Sequence, residues 1–347
     1  MAGIVLFQTG CGSGASFPTF AAEPAIPLPT HPNAIVAADF DGDGDIDVIA
    51  FGAVSFDYQV FENVRGRLVP RPRVPLDGGP LAAVAADFDE DGILDVAVTL
   101  PSSRRVAILR GTGDLTFAET SSVPLDTPNE VAAARLPGGR HVDLAVTRFD
   151  PGGLWLLRGD GHGAFAAGDA IPAPPGAGSL AVGDFDGDGA DDVAVACARS
   201  NMVAVYPGGA APPRIVPTGD WPTGLATVAS RGRTEILGVD NLGGAAFLID
   251  LGGPGGLRPL PAGAGPIAAH AADLDGDGVA EIGITNKLEN TLYVLAQTSA
   301  GDYAVAAILP TGDGPTPFAF ADLDGDGRTD IVVADGFSSD LVVYFQK

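Results

Sequence analysis

The chain has 347 residues, 46% of them hydrophobic, so it is long enough for a large core in one all-β unit or in two ordinary domains. Its formal net charge is −25, from 44 acidic and 19 basic residues, and the absence of a basic stripe argues against nucleic acid as a partner. The chain contains no run of about 18 apolar residues, so the sequence predicts no transmembrane segment. The two cysteines, Cys11 and Cys197, do not form a disulfide framework.

Residues 1–14 are predicted to be peripheral to the folded domain. They have no positively charged region and too short an apolar core for a secretory signal peptide. Either an export signal has been removed or the chain is not exported by that route. A lipid-anchored Cys11 is a further alternative, although the preceding Gln8-Thr9-Gly10 fits that signal poorly.

An acidic loop motif, Asp-x-Asp-x-Asp-Gly-x-x-Asp/Glu, occurs five times along the rest of the chain. The first copy begins at Asp39 and ends at Asp47. Each copy has carboxylates at loop positions 1, 3, 5 and 9, and a Gly at position 6 that supplies a positive-φ turn. Crowded carboxylates repel one another unless a cation lies among them, and Ca²⁺ takes six to eight oxygen ligands in a flexible shell.

The motif therefore predicts about five Ca²⁺ ions, one for each intact loop. Position 7 varies in side chain, so we expect it to contribute its main-chain carbonyl. The alternative is a set of Asp-Gly surface turns without an ion, but five copies in register favour calcium. The predicted ligands are Asp39, Asp41, Asp43, Asp45 and Asp47; Asp87, Asp89, Asp91, Ile93 and Asp95; Asp184, Asp186, Asp188, Ala190 and Asp192; Asp273, Asp275, Asp277, Val279 and Glu281; and Asp322, Asp324, Asp326, Arg328 and Asp330.

The loop differs from an EF-hand, which needs a bidentate Glu at position 12 and helices on both sides. Position 12 is apolar in all five copies, and the flanking segments read as strands. The carboxylate at position 9 is therefore expected to close the loop.

The loops recur with the period of a propeller blade. Counting two degenerate copies, position 1 falls at residues 39, 87, 135, 184, about 229, 273 and 322. The third copy keeps Asp143 at position 9, and the shortened fifth copy keeps Glu235. In these two copies an arginine is expected to replace the metal ion. The candidates are Arg135 or Arg140 beside Asp143, and Arg231 or Arg233 beside Glu235.

Each repeat contains four short strands, and the second is apolar on both faces, so it must lie between two other sheets. The pattern predicts an all-β fold, a seven-bladed β-propeller of four-stranded antiparallel blades. The last repeat stops after a third strand, and residues 17–28 resemble the fourth strand at 115–125. An N-terminal strand is therefore expected to complete the last blade.

A single domain is predicted over residues 15–347. Its parts are the closing strand of blade 7 at 15–32, blade 1 at 33–80, blade 2 at 81–128, blade 3 at 129–177, blade 4 at 178–222, blade 5 at 223–265, blade 6 at 266–315 and blade 7 at 316–347.

The chain resembles the FG-GAP/VCBS repeat family, which includes the propeller of integrin α subunits and some fungal lectins. The resemblance rests on copies such as "ADFDGDGDIDV" at 37–47 and "ADLDGDGRTDI" at 321–331, and it covers essentially the whole chain. It implies a seven-bladed propeller with calcium between the first and second strands. The Phe-Gly/Gly-Ala-Pro signature is poorly kept outside Phe51-Gly52, which weakens an integrin-specific role.

For function, the sequence favours a binding module over an enzyme. The four histidines form no catalytic motif, and calcium takes the paired carboxylates. A protein or glycan ligand is expected on the face opposite the calcium loops, with Asp220 and Trp221 as candidate ligand residues; a Trp that only covers a blade seam is the alternative for Trp221. The other functional alternative is a polysaccharide-active lyase or hydrolase. The weak calcium affinity that is typical of extracellular modules favours a location outside the cell or at its surface. The protein is expected to be a monomer.

Overall fold

The computed structural model describes residues 17–28, 31–168, 170–230, 232–252 and 256–347. These residues form seven antiparallel sheets, six of them built from consecutive stretches of the chain and the seventh from both of its ends. The predicted seven-bladed β-propeller is confirmed. The predicted peripheral segment 1–14, with Cys11, and the candidate cation Arg231 lie outside the described residues.

The first four blades follow one another along the chain, and blade 1 has a fourth strand that is split in two. Their strands are Pro32–Ala38, Asp47–Gly52, Asp57–Asn63, Leu68–Pro70 and Val74–Pro75 in blade 1; Ala83–Ala86, Asp95–Leu100, Arg105–Gly111 and Phe117–Pro124 in blade 2; Val131–Ala134, Asp143–Arg148, Gly153–Gly159 and Phe165–Ala167 in blade 3; and Ala177–Gly183, Asp192–Cys197, Met202–Tyr206 and Arg214–Pro217 in blade 4.

The remaining three blades complete the ring, and the last takes its outer strand from the N-terminal side of the chain. Their strands are Pro222–Ser230, Arg233–Asp240, Ala245–Asp250 and Gly256–Leu260 in blade 5; Pro266–Ala272, Glu281–Asn286, Thr291–Gln297 and Tyr303–Pro310 in blade 6; and Pro315–Ala321, Asp330–Asp335, Asp340–Gln346, Phe20–Ala22 and Ile26–Pro27 in blade 7. Short 3-10 turns lie at Pro101–Ser103, Ala198–Ser200 and Pro207–Gly209.

The core lies in the seams between neighbouring blades. All six residues of the second strand are buried in blades 1, 2, 4, 6 and 7, because both faces of that strand are covered by adjacent sheets. Seven apolar clusters each join two neighbouring blades, including blades 7 and 1. The ring is therefore closed by apolar packing at each of these seven seams.

Blade 7 is closed as the sequence predicts. Phe20 pairs with Gln346, Ala22 with Tyr344, and Ile26 with Leu341, all antiparallel. The side chains of Phe20 and Leu28 are buried in the two seams of this blade. The outer strands of blade 7 thus combine hydrogen bonding with burial.

Antiparallel blades give the ring two distinct faces. The turns between first and second strands, including the five acidic loops, form one face, here called the acidic-loop face. The turns between second and third strands and the blade-to-blade connections form the other, here called the connector face. First strands line the central channel. Within the described residues, no helix is long and apolar enough to cross a membrane.

Candidate functional sites

Each acidic loop is folded around its first carboxylate. Asp39 Oδ1 accepts a hydrogen bond from the Gly42 N–H at 2.7 Å, and its Oδ2 accepts one from the Gly44 N–H at 3.1 Å. Both glycines have positive φ, 77° and 94°, which they adopt at little steric cost. The blade 4 loop repeats the pattern, with Asp184 bonded to Gly187 and Gly189. The sequence motif therefore encodes a tight turn with its carboxylates on the inside.

The carboxylate at position 9 joins the loop to its blade. Asp192 is fully buried and accepts hydrogen bonds from the Phe185 N–H at 3.0 Å and the Gly208 N–H at 2.8 Å. Burial is the main cause that raises the pKa of Asp47 to about 6 and that of Glu281 to about 7. Nearby carboxylates add to both increases, so a cation in the loop would relieve a real electrostatic cost.

In each loop, three carboxylates each contribute one oxygen to a group whose three oxygens all lie within 4.8 Å of one another. The predicted position 5 carboxylate is outside this group in four loops, and the position 9 carboxylate is outside it in the first. The donors are all oxygens, which suits a hard cation such as Ca²⁺. The groups are Asp39, Asp41 and Asp43; Asp87, Asp89 and Asp95; Asp184, Asp186 and Asp192; Asp273, Asp275 and Glu281; and Asp322, Asp324 and Asp330.

The two degenerate loops do contain arginine–carboxylate pairs, but the arginines differ from those predicted. Arg158 Nη1 lies 2.7 Å from Asp143 Oδ2, and Arg258 Nη2 lies 2.7 Å from Glu235 Oε1. Arg158 comes from the third strand of blade 3 and Arg258 from the fourth strand of blade 5, so each arginine lies on a later strand of the same blade as its acid.

The predicted cations Arg135, Arg140 and Arg233 were therefore wrong. Arg135 offers only its backbone N–H, to Asp191, and Arg233 lies 3.8 Å from Asp250 instead. Arg140 forms no ion pair within the described chain.

The connector face carries an apolar arc that the sequence reasoning missed. Large apolar side chains stand exposed in the turns between second and third strands of four consecutive blades, 5, 6, 7 and 1. Leu288 is 79% exposed and Phe337 is 58% exposed. The members of the arc are Leu242, Leu288, Phe337, Val54 and Phe56.

The arc side chains rest on glycine-containing connections. A Cβ at Gly265 would come within 2.7 Å of Leu288, and one at Gly314 would come within 2.6 Å of Phe337. Lys287 Nζ also lies 4.7 Å from the centre of the Phe337 ring. The surrounding backbone therefore supports these side chains from below while their outer surfaces face solvent.

The other half of the connector face is charged. In the turns of blades 2 and 4, Arg104 pairs with Asp126 at 3.0 Å and Arg199 pairs with Asp150 at 3.2 Å. The candidate ligand residues Asp220 and Trp221 lie beside this half. Asn201 holds both, since its side chain donates to Asp220 and accepts from the Trp221 N–H.

The channel is a cavity of about 890 Å³ lined by first strands, with Glu130, Phe149 and Trp221 in its lining at the connector-face end. Most lining side chains are small and apolar. Glu130 and His270 are the titratable side chains among the described lining residues. Burial raises the pKa of Glu130 to about 7 and lowers that of His270 to about 4. The imidazole of His270 is consequently neutral at physiological pH and packs edge-on against Phe318.

A model of the FG-GAP-like repeat matches residues 140–195 and 283–333. Each match runs from one second strand to the next and includes an intact acidic loop. The chain is a β-propeller that carries FG-GAP-like repeats. No significant match was found among curated proteins.

Solved structures share the fold of this FG-GAP-repeat propeller at low identity. The structure of BBS1N in complex with ARL6DN, soaked with mercury, superposes with a TM-score of 0.74 at 12% identity, covering 96% of this chain and 98% of that chain. Virginiamycin B lyase from Staphylococcus aureus gives a TM-score of 0.66 at 15% identity, with coverage of 94% and 99%. A functionally unknown protein from Desulfotomaculum acetoxidans gives 0.62 at 13% identity, with coverage of 86% and 94%.

The acidic loops of the FG-GAP-like repeats differ in their basic neighbours. Arg110 lies 2.6 Å from Asp89 and 2.7 Å from Asp91 in the blade 2 loop. Arg328 pairs with Asp326 in the blade 7 loop. In blade 1 the residue at the same strand position as Arg110 is acidic, Glu62. The pKa of Asp41 in this loop is raised mainly by burial, then by the loop carboxylates Asp43 and Asp39, and last by Glu62. The blade 1 loop therefore has a more negative environment than the blade 2 loop.

A buried carboxylate at the end of the second strand of blade 7 predicts a pH dependence. Asp335 accepts a hydrogen bond from the Gly312 N–H at 2.9 Å, and its other oxygen has no partner in the described chain. Burial raises its pKa from 3.8 to about 7. In blade 6 the equivalent position is Asn286, which accepts the matching bond from the Gly263 N–H. A neutral amide therefore satisfies this environment.

We expect Asp335→Asn to stabilise the protein above neutral pH. The folded pKa exceeds the unfolded pKa, so the stability due to the protonated acid is complete below about pH 4 and is lost as pH rises through 7. The free energy of unfolding of the variant should exceed that of the wild type by about 1–3 kcal/mol at pH 8 and should differ little from it at pH 4. Urea unfolding at both pH values measures this. An equal gain at the two pH values, or in the exposed control Asp313→Asn, would contradict it.

Proposed function

We propose that this chain is a calcium-stabilised recognition propeller that binds a protein partner on its connector face. The observation that carries the proposal is the apolar arc of Leu242, Leu288, Phe337, Val54 and Phe56. Large apolar side chains that are exposed in neighbouring turns of one face are typical of interaction sites. The arc spans four adjacent blades, which suits an extended protein surface better than a single sugar.

The charges around the arc support a partner with a basic rim. Glu289 and Asp313 are exposed beside Leu288 and Phe337, and the whole chain carries a formal charge of −25. Opposite charges at the edge of an interface speed association and help to exclude wrong partners. The partner proposed is therefore a protein that presents apolar side chains bordered by lysine or arginine.

Calcium has a structural role in this proposal. The ions would be held on the acidic-loop face by the three-carboxylate groups, which fit an oxygen-liganded cation. They would screen mutual repulsion and fix each turn between first and second strands, but would not touch the partner. Weak calcium sites are occupied in extracellular fluid, where calcium is abundant, so we also propose an extracellular or cell-surface setting.

The double variant Leu288→Ser/Phe337→Ser tests the proposal, with Ile215→Ser as the control. Ile215 is 43% exposed but lies on the outer strand of blade 4, away from the arc. Immobilised wild-type and variant chains are exposed to extracellular proteins of the source organism, and captured proteins are identified, purified and titrated individually. Burial of one large apolar side chain contributes about 1.5–3 kcal/mol, so the double variant should bind a true partner at least about tenfold more weakly.

The control should bind that partner as well as wild type does. Equal binding of every purified candidate to the arc variant would overturn the proposed surface. Binding to a glycan array that survives the double variant would instead favour the glycan alternative, and polysaccharide turnover by the wild-type chain would favour the enzyme alternative.

A further inference from the structure

Glu130 occupies a fixed position at the connector-face mouth of the channel. It immediately precedes the first strand of blade 3, and its backbone is bonded twice to Thr147. The Glu130 N–H donates to Thr147 Oγ1 at 3.1 Å, and its carbonyl accepts from the Thr147 N–H at 3.0 Å. The side chain lines the cavity. The main chain at Glu130 is therefore fixed to the edge of the blade at the mouth of the channel.

The Glu130 carboxylate lacks a basic partner within the described chain. The residue is half-buried in the lining of the channel. Neither arginine of this region pairs with it: Arg148 stacks on Trp155, although its buried Nε has no hydrogen-bond partner in the described chain, and Arg199 pairs with Asp150. The N–H of Val131 is the group that opposes the effect of burial. A carboxylate in such surroundings favours a cation that enters the channel.

Two aromatic rings stand at the same mouth. Phe149 and Trp221 both line the cavity, with ring centres 6.3 Å apart and planes inclined by 51°. The Arg199 guanidinium already lies 5.0 Å from the centre of the Phe149 ring, so the Trp221 indole is the ring available to another cation. Trp221 has a φ of 64°, which is unfavourable for a non-glycine residue. Asn201 and Asn241 fix that backbone, since Asn201 accepts the Trp221 N–H and the Asn241 N–H donates to its carbonyl. The strained backbone keeps the indole at the mouth, where its π face can attract a cation.

We propose that this mouth, with Glu130 and Trp221 in its lining, binds an alkylammonium group. The carboxylate would accept N–H hydrogen bonds from the ammonium, and the Trp221 indole would supply cation–π attraction. The channel continues below the mouth as an apolar cavity that accommodates an alkyl chain. The group would come either from a lysine side chain of the partner or from a free amine. The inference deepens the proposed function, because the mouth lies on the same face as the apolar arc.

Titration of the calcium-loaded full chain with Nα-acetyl-lysine methylamide, followed by tryptophan fluorescence, tests the inference. Trp221 is half-buried at the mouth, whereas Trp155 is buried in the core, so a saturable change reports on Trp221. The neutral analogue acetylated on Nε is the matched ligand control. Binding of the ammonium compound should be at least about tenfold tighter than that of the neutral one.

Variants separate the mouth from the rest of the face. Glu130→Gln should weaken binding of the ammonium compound at least about tenfold, while Asp77→Asn, which changes an exposed acid in the connection between blades 1 and 2, should leave it unchanged. Trp221→Leu, titrated by calorimetry because it lacks the fluorescent reporter, provides a second test if Glu130→Gln alters the fold, which thermal melts would reveal. Equal binding of the acetylated analogue, or unchanged binding by Glu130→Gln and Trp221→Leu, would overturn the inference.

Two further experiments identify the origin of the ammonium group and separate this inference from the apolar-arc proposal. Tighter binding of a lysine-containing peptide than of n-butylammonium would assign the ammonium to a partner protein, and equal affinity would assign it to a free amine. The Leu288→Ser/Phe337→Ser variant should bind the ammonium compound normally. Since the titration contains no partner protein, its failure would not contradict the apolar-arc proposal. In the same way, failure of the partner-binding experiment would not contradict binding of the ammonium compound at the mouth.

Discussion

EDTA is expected to lower the melting temperature of the propeller by about 10 °C or more relative to millimolar Ca²⁺. Each site occupied at 100 times its dissociation constant adds about 2.7 kcal/mol to the free energy of unfolding. For a chain of this size, 1 kcal/mol corresponds to a change in melting temperature of about 2 °C. Five acidic loops on five blades could each contribute, so even partial occupancy should give a large shift.

The calcium effect should be traceable to individual loops. Asp184→Asn/Asp186→Asn removes two carboxylates of the blade 4 group, so it should remove part of the calcium-dependent stabilisation and about one ion from a direct count of bound metal. Asp220→Asn removes an acid of the connector face and should leave both quantities unchanged. A melting temperature that is the same in EDTA and in calcium would refute a structural role for the metal, and a count of seven ions would contradict metal-free loops in blades 3 and 5.

Deletion of residues 1–30 is expected to leave the protein insoluble or unfolded, whereas deletion of residues 1–12 should be mild. The longer deletion removes Phe20–Ala22 and Ile26–Pro27, the outer strands of blade 7. It exposes the edge of Asp340–Gln346, which becomes a template for pairing with other chains. It also removes Phe20 and Leu28 from the two apolar seams of that blade.

Expression of both truncated chains, followed by size-exclusion chromatography and circular dichroism, distinguishes the outcomes. The shorter deletion serves as the control for any general effect of N-terminal truncation. If both chains elute as folded monomers with the same melting temperature, closure by the N-terminal strands does not stabilise the ring. Peptide 17–28 added in excess should restore solubility to the longer deletion if the missing strands are the cause.

The fold could be predicted from the sequence because its determinants are local and repeated. A loop such as Asp39–Asp47 carries its own turn, its own inward carboxylates and a following strand that must be buried on both faces. The spacing of these loops then sets the number of blades. Closure was also predictable, since residues 17–28 resemble an outer strand and the last repeat lacks one.

The parts that could not be predicted depend on neighbours brought together by pairing. Arg158 reaches Asp143 only because Leu144 pairs with Leu157 in the adjacent strand, so a search within the loop itself selects the wrong arginine. The apolar arc has the same origin. Leu242, Leu288 and Phe337 are single apolar residues in separate polar turns, and each is unremarkable in sequence. Ring closure places those turns side by side on one face.

The closing strands also determine how the ring would respond to mechanical load. Phe20 lies opposite Gln346, and the Lys347 N–H donates to the Thr19 carbonyl at 2.8 Å. Because the pairing is antiparallel, tension applied through residues 19 and 347 would pull on one hydrogen bond at a time, as in unzipping. Blade 7 would therefore peel open at low force while the seams of the other blades still held. A tether attached at these two points would therefore open blade 7 before it unfolded the other blades.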